Sequence, residues 1–173
     1  IKNSSVVILS DYDKGSLSNT KQIIKKCIQY NKIIVIDPKG NDFSRYKNAT
    51  IITPNISEFE QIVGKVKNEN DLLEKGTKLK KELNLQALLI TRGKDGMTLI
   101  TNDNFYTFDA IAKDIYDVTG AGDTVIAVLS LCISSGYNFE NSARIANFAA
   151  SKVIQKQGTS SVTISDIEEQ LAT

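Results

Sequence analysis

An α/β fold with a mostly parallel sheet is predicted by three observations. Short apolar runs of strand length recur along the chain, each ends in a turn with a polar residue, proline or glycine, and stretches of helical apolar spacing separate them. Strands that alternate with helices pair in parallel through crossovers, and unbroken apolar runs suit strands covered on both faces. Val6-Val7-Ile8-Leu9 is the first run, and Leu17 to Tyr30 follows as a helix with Ile23, Ile24, Cys27 and Ile28 at helical spacing. Ile33-Ile34-Val35-Ile36 ends at Asp37-Pro38, Ile51-Ile52-Thr53 at Pro54, and Leu88-Leu89-Ile90-Thr91 at Arg92-Gly93. Helices are predicted over Asn55 to Val63 and Glu69 to Leu83. From Gly96 the pattern changes: Met97 to Ile100 and Phe105 to Phe108, joined through Asn102-Asp103-Asn104, read as an antiparallel hairpin at a sheet edge. Beyond Gly120 the pattern is helical. Ala121 to Ser135 ends at Gly136, Phe139 to Gln155 ends near Gly158, and a last helix begins around Ser165, where Ser165-Asp166-Ile167-Glu168 fits a capping box.

Composition narrows the function classes. With 41% hydrophobic and 24% charged residues, the 173-residue chain can bury a core, and no linker, repeat or charge block divides it, so residues 1–173 read as one unit. A net charge of +1 gives no global attraction for nucleic acid or an anionic membrane, and no apolar run is long enough to span a bilayer. Any phosphate site must be local. Two cysteines, Cys27 and Cys132, sit in apolar stretches and imply a reducing, cytoplasmic setting. The chain contains no histidine, which removes imidazole acid-base chemistry, His-dependent triads and His metal sites. The first strand starts almost at the first residue, without a signal-peptide layout, as expected of a segment from a longer protein.

The sharpest chemical feature is Asp117-Val118-Thr119-Gly120-Ala121-Gly122-Asp123-Thr124, which opens a long apolar helix. Helix N-termini leave backbone N–H groups unpaired and carry partial positive charge, and glycines let an anion approach that backbone with no Cβ in the way. A phosphoryl group is the natural guest. Asp123, in the first turn, is then placed to accept a proton from an attacking hydroxyl. Asn55-Ile56-Ser57-Glu58 is both a capping box and a helix start at the end of a strand, where open α/β sheets bind ligands.

The octet resembles the second signature of the ribokinase-like (PfkB) carbohydrate kinases. The resemblance implies that Gly120, Ala121 and Gly122 form the anion hole for the transferred phosphate and that Asp123 is the catalytic base. Asn55, Ile56, Ser57 and Glu58 resemble the family's stretch near Mg²⁺ and the ATP phosphates, with Glu58 acting on the metal through water. Thr91-Arg92-Gly93-Lys94-Asp95-Gly96 resembles the stretch along the nucleotide, which assigns Thr91, Gly93 and Gly96 to ATP. By the same resemblance Asn147 lies near the adenine, and Asp117 with Thr119 helps hold a monovalent cation such as K⁺. The implied fold is a ribokinase-like, Rossmann-like sheet with helices on both faces, cut short at its N-terminus.

A narrower resemblance runs along almost the whole chain. Ser10-Asp11-Tyr12-Asp13-Lys14-Gly15, Asp37-Pro38-Lys39-Gly40 with Asp42-Phe43 and Arg45-Tyr46, Thr53-Pro54-Asn55, and Tyr116-Asp117-Val118-Thr119 are similar to the kinase domain of bacterial heptose 7-phosphate kinases. That family phosphorylates C1 of D-glycero-β-D-manno-heptose 7-phosphate on the way to ADP-heptose and the lipopolysaccharide core, often fused to an adenylyltransferase. A phosphorylated substrate and ATP need cations, for which Lys14, Lys39 and Arg45 are candidates by their place near strand ends. Lys39 is assigned to the nucleotide phosphates, and Asp11 and Lys14 to the sugar side. Kinases of this type are about twice as long, with most sugar contacts, the lid and the usual homodimer contacts in the half missing here. Two alternatives stay open: a kinase of another sugar, or a nucleotide-binding fragment inactive without that half.

Overall fold

The computed structural model describes residues 1–12, 14–15, 17–111, 117–155 and 160–171. Among these, one sheet has the order β1 (Val6–Ser10), β2 (Ile33–Asp37), β3 (Ile51–Ile52), β4 (Ala87–Thr91), β5 (Met97–Ile100) and β6 (Phe105–Phe108). β1 to β4 pair in parallel, and the β5–β6 hairpin adds antiparallel to β4 at one edge, as the sequence predicts.

Strand geometry sends alternate side chains to opposite faces. Ile34, Ile36, Ile52, Leu88 and Ile90 share one core with side chains of α1 (Thr20–Gln29), α2 (Ile56–Val63) and α3 (Glu69–Glu82), such as Ile24, Phe59 and Leu79. Val35, Ile51, Ala87 and Leu89 enter a second core with α4 (Ala121–Ser134) and α5 (Phe139–Ile154). Both faces are therefore covered, and the apolar runs are unbroken for that reason. Each fully buried Leu or Ile contributes about 1.5–3 kcal/mol. Ala143, Ala146 and Ala150 present small side chains from α5 to that core. On the opposite edge from the hairpin, Ile8 of β1 is 42% exposed and Leu131 of α4 is 60% exposed.

Register gathers the strand ends on one rim. Ser10 pairs with Asp37, Asp11 N–H donates to Asp37 O at 3.0 Å, Thr53 N–H donates to Ile36 O at 2.9 Å, and Thr91 N–H donates to Pro54 O at 3.0 Å. An isolated parallel bridge joins Asn55 to Thr91. Two stretches far apart in sequence, Asn55–Glu58 and Thr91–Gly96, thereby lie side by side.

Two boundaries differ from the sequence reading. The first helix starts at Thr20, after a turn in which Thr20 N–H donates to Leu17 O at 3.2 Å. The last helix, α6 (Ile164–Leu171), starts one residue before Ser165, and its box is Thr163 with Asp166: Asp166 N–H donates to Thr163 Oγ1 at 3.2 Å and Thr163 N–H to Asp166 Oδ2 at 2.8 Å. Thr163-x-x-Asp166 and Ser165-x-x-Glu168 both fit the pattern, and the earlier pair closes first. The predicted helix end near Gly158 lies outside the described residues, as does Tyr116.

Candidate active site

Three helices start under an asparagine cap: the side chains of Asn55, Asn68 and Asn138 accept from backbone N–H groups of α2, α3 and α5. α4 starts differently. Its N-cap is Gly120, in the left-handed region at φ 82°, with no side-chain cap. Glycine takes that conformation at no steric cost. Ala121 N–H turns back onto Val118 O at 3.2 Å, so the amides of Gly122 and Asp123, the next orphan donors of the first turn, are the ones offered to the cleft. A Cβ built on Gly122 would meet no atom within 4 Å, so the space before this turn is open. The exposed Asp123 carboxylate receives Tyr12 Oη at 3.4 Å from the turn after β1.

Glu58 divides its two oxygens. Oε2 accepts from Asn55 N–H at 3.0 Å while Asn55 Oδ1 accepts from Glu58 N–H at 2.9 Å, which completes the capping box. Oε1 faces Lys39 Nζ at 2.5 Å. The bond to Glu58 holds the Lys39 ammonium above its usual pKa. Capping and a cation-facing oxygen thus coexist in one buried carboxylate. Ile56 packs toward the core beneath, and Ser57 is exposed in the first turn of α2.

Asp37, at the end of β2, is pushed up to about 6, first by burial and then by the charges of Glu58 and Asp123, against the opposing pull of Lys39. A raised carboxyl pKa makes the folded form hold a proton that the unfolded chain has released between about pH 4 and 6. Stability therefore falls as pH rises through that window and is flat above it. Asp37→Asn is expected to stabilise the fold by on the order of 1–3 kcal/mol at pH 8 and by nearly nothing at pH 4, checked by denaturant unfolding at both values. An equal gain at both would separate the effect from Asp37 ionisation.

An apolar cavity of about 250 Å³ opens beside the α4 turn, with Met97, Ile111, Val125 and Ile154 on its walls and Thr91, Gly93, Gly96 and Asn147 at its polar margin. Its size and apolar walls suit a flat ring. Gly96 is required by the backbone, because its φ is 77° and a Cβ there would lie 1.9 Å from Phe108 O. Asn147 donates its amide to Asp109 O at 2.9 Å, fastening the loop that forms one wall.

The remaining candidates are spread around this rim. Asp11 is 3% exposed and accepts from Tyr46 Oη at 2.7 Å, with Arg45 at 3.3 Å, and Arg45 also donates to Leu17 O at 2.7 Å. Asp11 and Arg45 are thus tied into the packing under the rim, whereas Lys14 is exposed above it. Asp117 Oδ1 accepts from Thr119 N–H at 2.8 Å, which shapes the approach to Gly120. Asp37, Tyr12 and Tyr46, which enter the sequence reading only within the stretches that carry the narrower resemblance, are participants to which it assigns no role. The signal for Asp37 is its strand-end register beside Asp11; for Tyr12, more than a hundred residues from Asp123, the sequence carries none. Cys27 and Cys132 are free and buried. Among the described residues, no helix is long and apolar enough to cross a membrane, and no three Asp, Glu, Cys or His side chains form a metal cage.

Comparison with known proteins agrees with this geometry. The chain is 46% identical over 172 residues to "Bifunctional protein HldE" of Haemophilus influenzae (strain Rd), covering 99% of this chain and 36% of that protein. It is 50% identical over 167 residues to an "Uncharacterized sugar kinase" of Buchnera aphidicola subsp. Schizaphis graminum, covering 96% of this chain and 53% of that one. The chain thus spans between about a third and a half of these relatives. In fold it is similar to Arabidopsis thaliana ribokinase complexed with ribose and ATP, with a TM-score of 0.87 at 23% identity, 99% of this chain and 57% of that chain. Phosphofructokinase-2 from Escherichia coli in complex with potassium gives 0.83 at 18% identity, covering 96% and 55%. Residues 1–166 match the pfkB family carbohydrate kinases, and with the glycine-led start of α4, the Asn55–Glu58 box and the Thr91–Gly96 turn gathered on one rim, the chain belongs to that family.

Proposed function

We propose that this chain is the nucleotide side of an ATP-dependent kinase that phosphorylates C1 of D-glycero-β-D-manno-heptose 7-phosphate. The observation that carries the reading is the uncapped start of α4, with the exposed Asp123 beside two orphan amides. The adenine lies in the apolar cavity between the Thr91–Gly96 turn and α5, and the phosphates run along the rim toward Gly120, Ala121 and Gly122. Gly122 and Asp123 N–H donate to the moving phosphoryl oxygens, where the helix end favours negative charge. Asp123 accepts the proton of the anomeric hydroxyl as its oxygen bonds to the terminal phosphorus and the bond to ADP breaks. Bound Mg²⁺ supplies charge neutralisation on the outer phosphates. The donor set fits that ion, since Glu58 Oε1 already faces a cation and Mg²⁺ keeps several waters and needs few carboxylates. Asp117 and Thr119 hold a monovalent cation in this reading, and Lys14 meets the sugar side. Asp11 serves that side indirectly by holding the turn after β1.

Release of ADP, followed with heptose 7-phosphate, fructose 6-phosphate and ribose as acceptors, tests the substrate. Heptose 7-phosphate is expected to exceed ribose at least about tenfold in kcat/KM, the discrimination of one well-made charge-assisted contact to the phosphate that ribose lacks, and to exceed fructose 6-phosphate through the shape of the sugar. Equal turnover of ribose would refute it. A second reading, that residues 1–173 bind nucleotide without turning over, is favoured by the uncovered apolar flank at Ile8 and Leu131. Heptose phosphorylation by this chain alone would overturn it.

A further inference from the structure

The ion pair at the centre of the rim has an unusual arrangement for a structural one. Glu58 is held in place twice over, by the capping box on Oε2 and by burial, its side chain being 9% exposed. Apart from that pair, Lys39 is fixed through its main chain: its N–H donates to Tyr46 Oη at 3.1 Å, and the one hydrogen of that hydroxyl is shared between Lys39 O at 3.0 Å and Asp11 Oδ2 at 2.7 Å. Its side chain is 50% exposed. The carboxylate is therefore fixed and the ammonium can move on its four-carbon stem, while a buried Glu58 left without any cation would be costly. Removing the ammonium is favourable only if another cation takes its place at Oε1.

We infer that Lys39 is the resting counter-cation of Glu58 and exchanges partners when nucleotide and metal arrive: the ammonium holds Oε1 in the empty cleft, gives it up to the divalent cation, and moves onto the phosphates. This rests on the reading of the rim as the nucleotide–metal site. Two positive charges cannot share Oε1 at contact distance without mutual repulsion, so in the empty protein Lys39 competes with the metal. Once the metal carries phosphate, the same lysine assists. One side chain thus opposes metal alone and favours metal with nucleotide, which makes binding of the pair cooperative. The three groups need no rearrangement of strand or helix, only rotation about the lysine stem.

The opposite signs supply the test. Mn²⁺ alone, titrated into the 173-residue chain and read by electron paramagnetic resonance, is expected to bind Lys39→Met about tenfold more tightly than the parent, the size of one like-charge repulsion relieved. Mg·ATP, titrated by calorimetry, is expected to bind the same variant several-fold more weakly. Lys39→Arg keeps the charge and is expected to leave Mn²⁺ affinity within about twofold of the parent. Thermal unfolding controls for folding, and Lys39→Gln serves if the methionine variant aggregates. Unchanged or weaker Mn²⁺ binding by Lys39→Met, with Glu58→Gln abolishing it, would overturn the exchange while sparing the cleft reading. Mn²⁺ affinity untouched by Glu58→Gln, or no Mn²⁺ binding even to Lys39→Met, would overturn both.

Discussion

Asp123→Asn is expected to lower kcat by about 10²–10⁴, the contribution of a positioned general base, while the Kd for Mg·ATP changes by less than about threefold. The two side chains have the same shape, and residue 123 is exposed, so the core that α4 builds is not disturbed. Loss of the first-turn charge costs about 0.3–1 kcal/mol of helix stability, too little to unfold a domain of this size. What the amide cannot do is accept the proton of the attacking hydroxyl. Steady-state turnover in the smallest form of the protein that phosphorylates a sugar, set beside calorimetric ATP binding, checks the split. Undiminished kcat, or a fall in nucleotide affinity that accounts for the whole loss, would remove Asp123 from the chemistry.

Gly122→Ala separates the anion hole from the fold. The position is helical with a negative φ, and an added methyl group meets no atom within 4 Å, so alanine is expected to stabilise α4 by up to about 1 kcal/mol. That methyl occupies the open space in front of the turn, where the phosphoryl oxygens must come to reach the amides. Turnover is accordingly expected to fall by about 10²–10³ in a protein that melts no lower than the parent, the loss found when a positioned oxyanion donor is removed. A helix start whose glycine served only the turn would give the gain in stability and no loss in rate.

The fold was legible because its strands are covered on both faces. Ile33 to Ile36 and Ala87 to Ile90 are apolar at every position because both faces are covered, and such runs stand out in the sequence. The start of α4 was legible for a related reason, since Gly120, Gly122 and Asp123 act within one turn of chain. Groups brought together across the sheet were harder. Asp37 feels the charges of Glu58 and Asp123 only through strand register and a distant helix start, and Tyr12 reaches Asp123 across 111 positions. Asp11 shows the converse problem. A polar residue at a strand end can face a ligand or lock the turn beneath it, and the partner that decides, Tyr46, comes from a short 3-10 turn, Phe43–Tyr46, that no periodicity announces.

The grip of the α4 amides on a phosphoryl group in transit is read most directly by a planar mimic of that group. ADP with aluminium fluoride, titrated into the parent and into Gly122→Ala and compared with ADP alone, isolates it. The expected result is a loss of at least about a hundredfold in affinity for the mimic complex with ADP affinity nearly unchanged. Equal affinities of the two proteins for the mimic would contradict an anion hole at the start of α4.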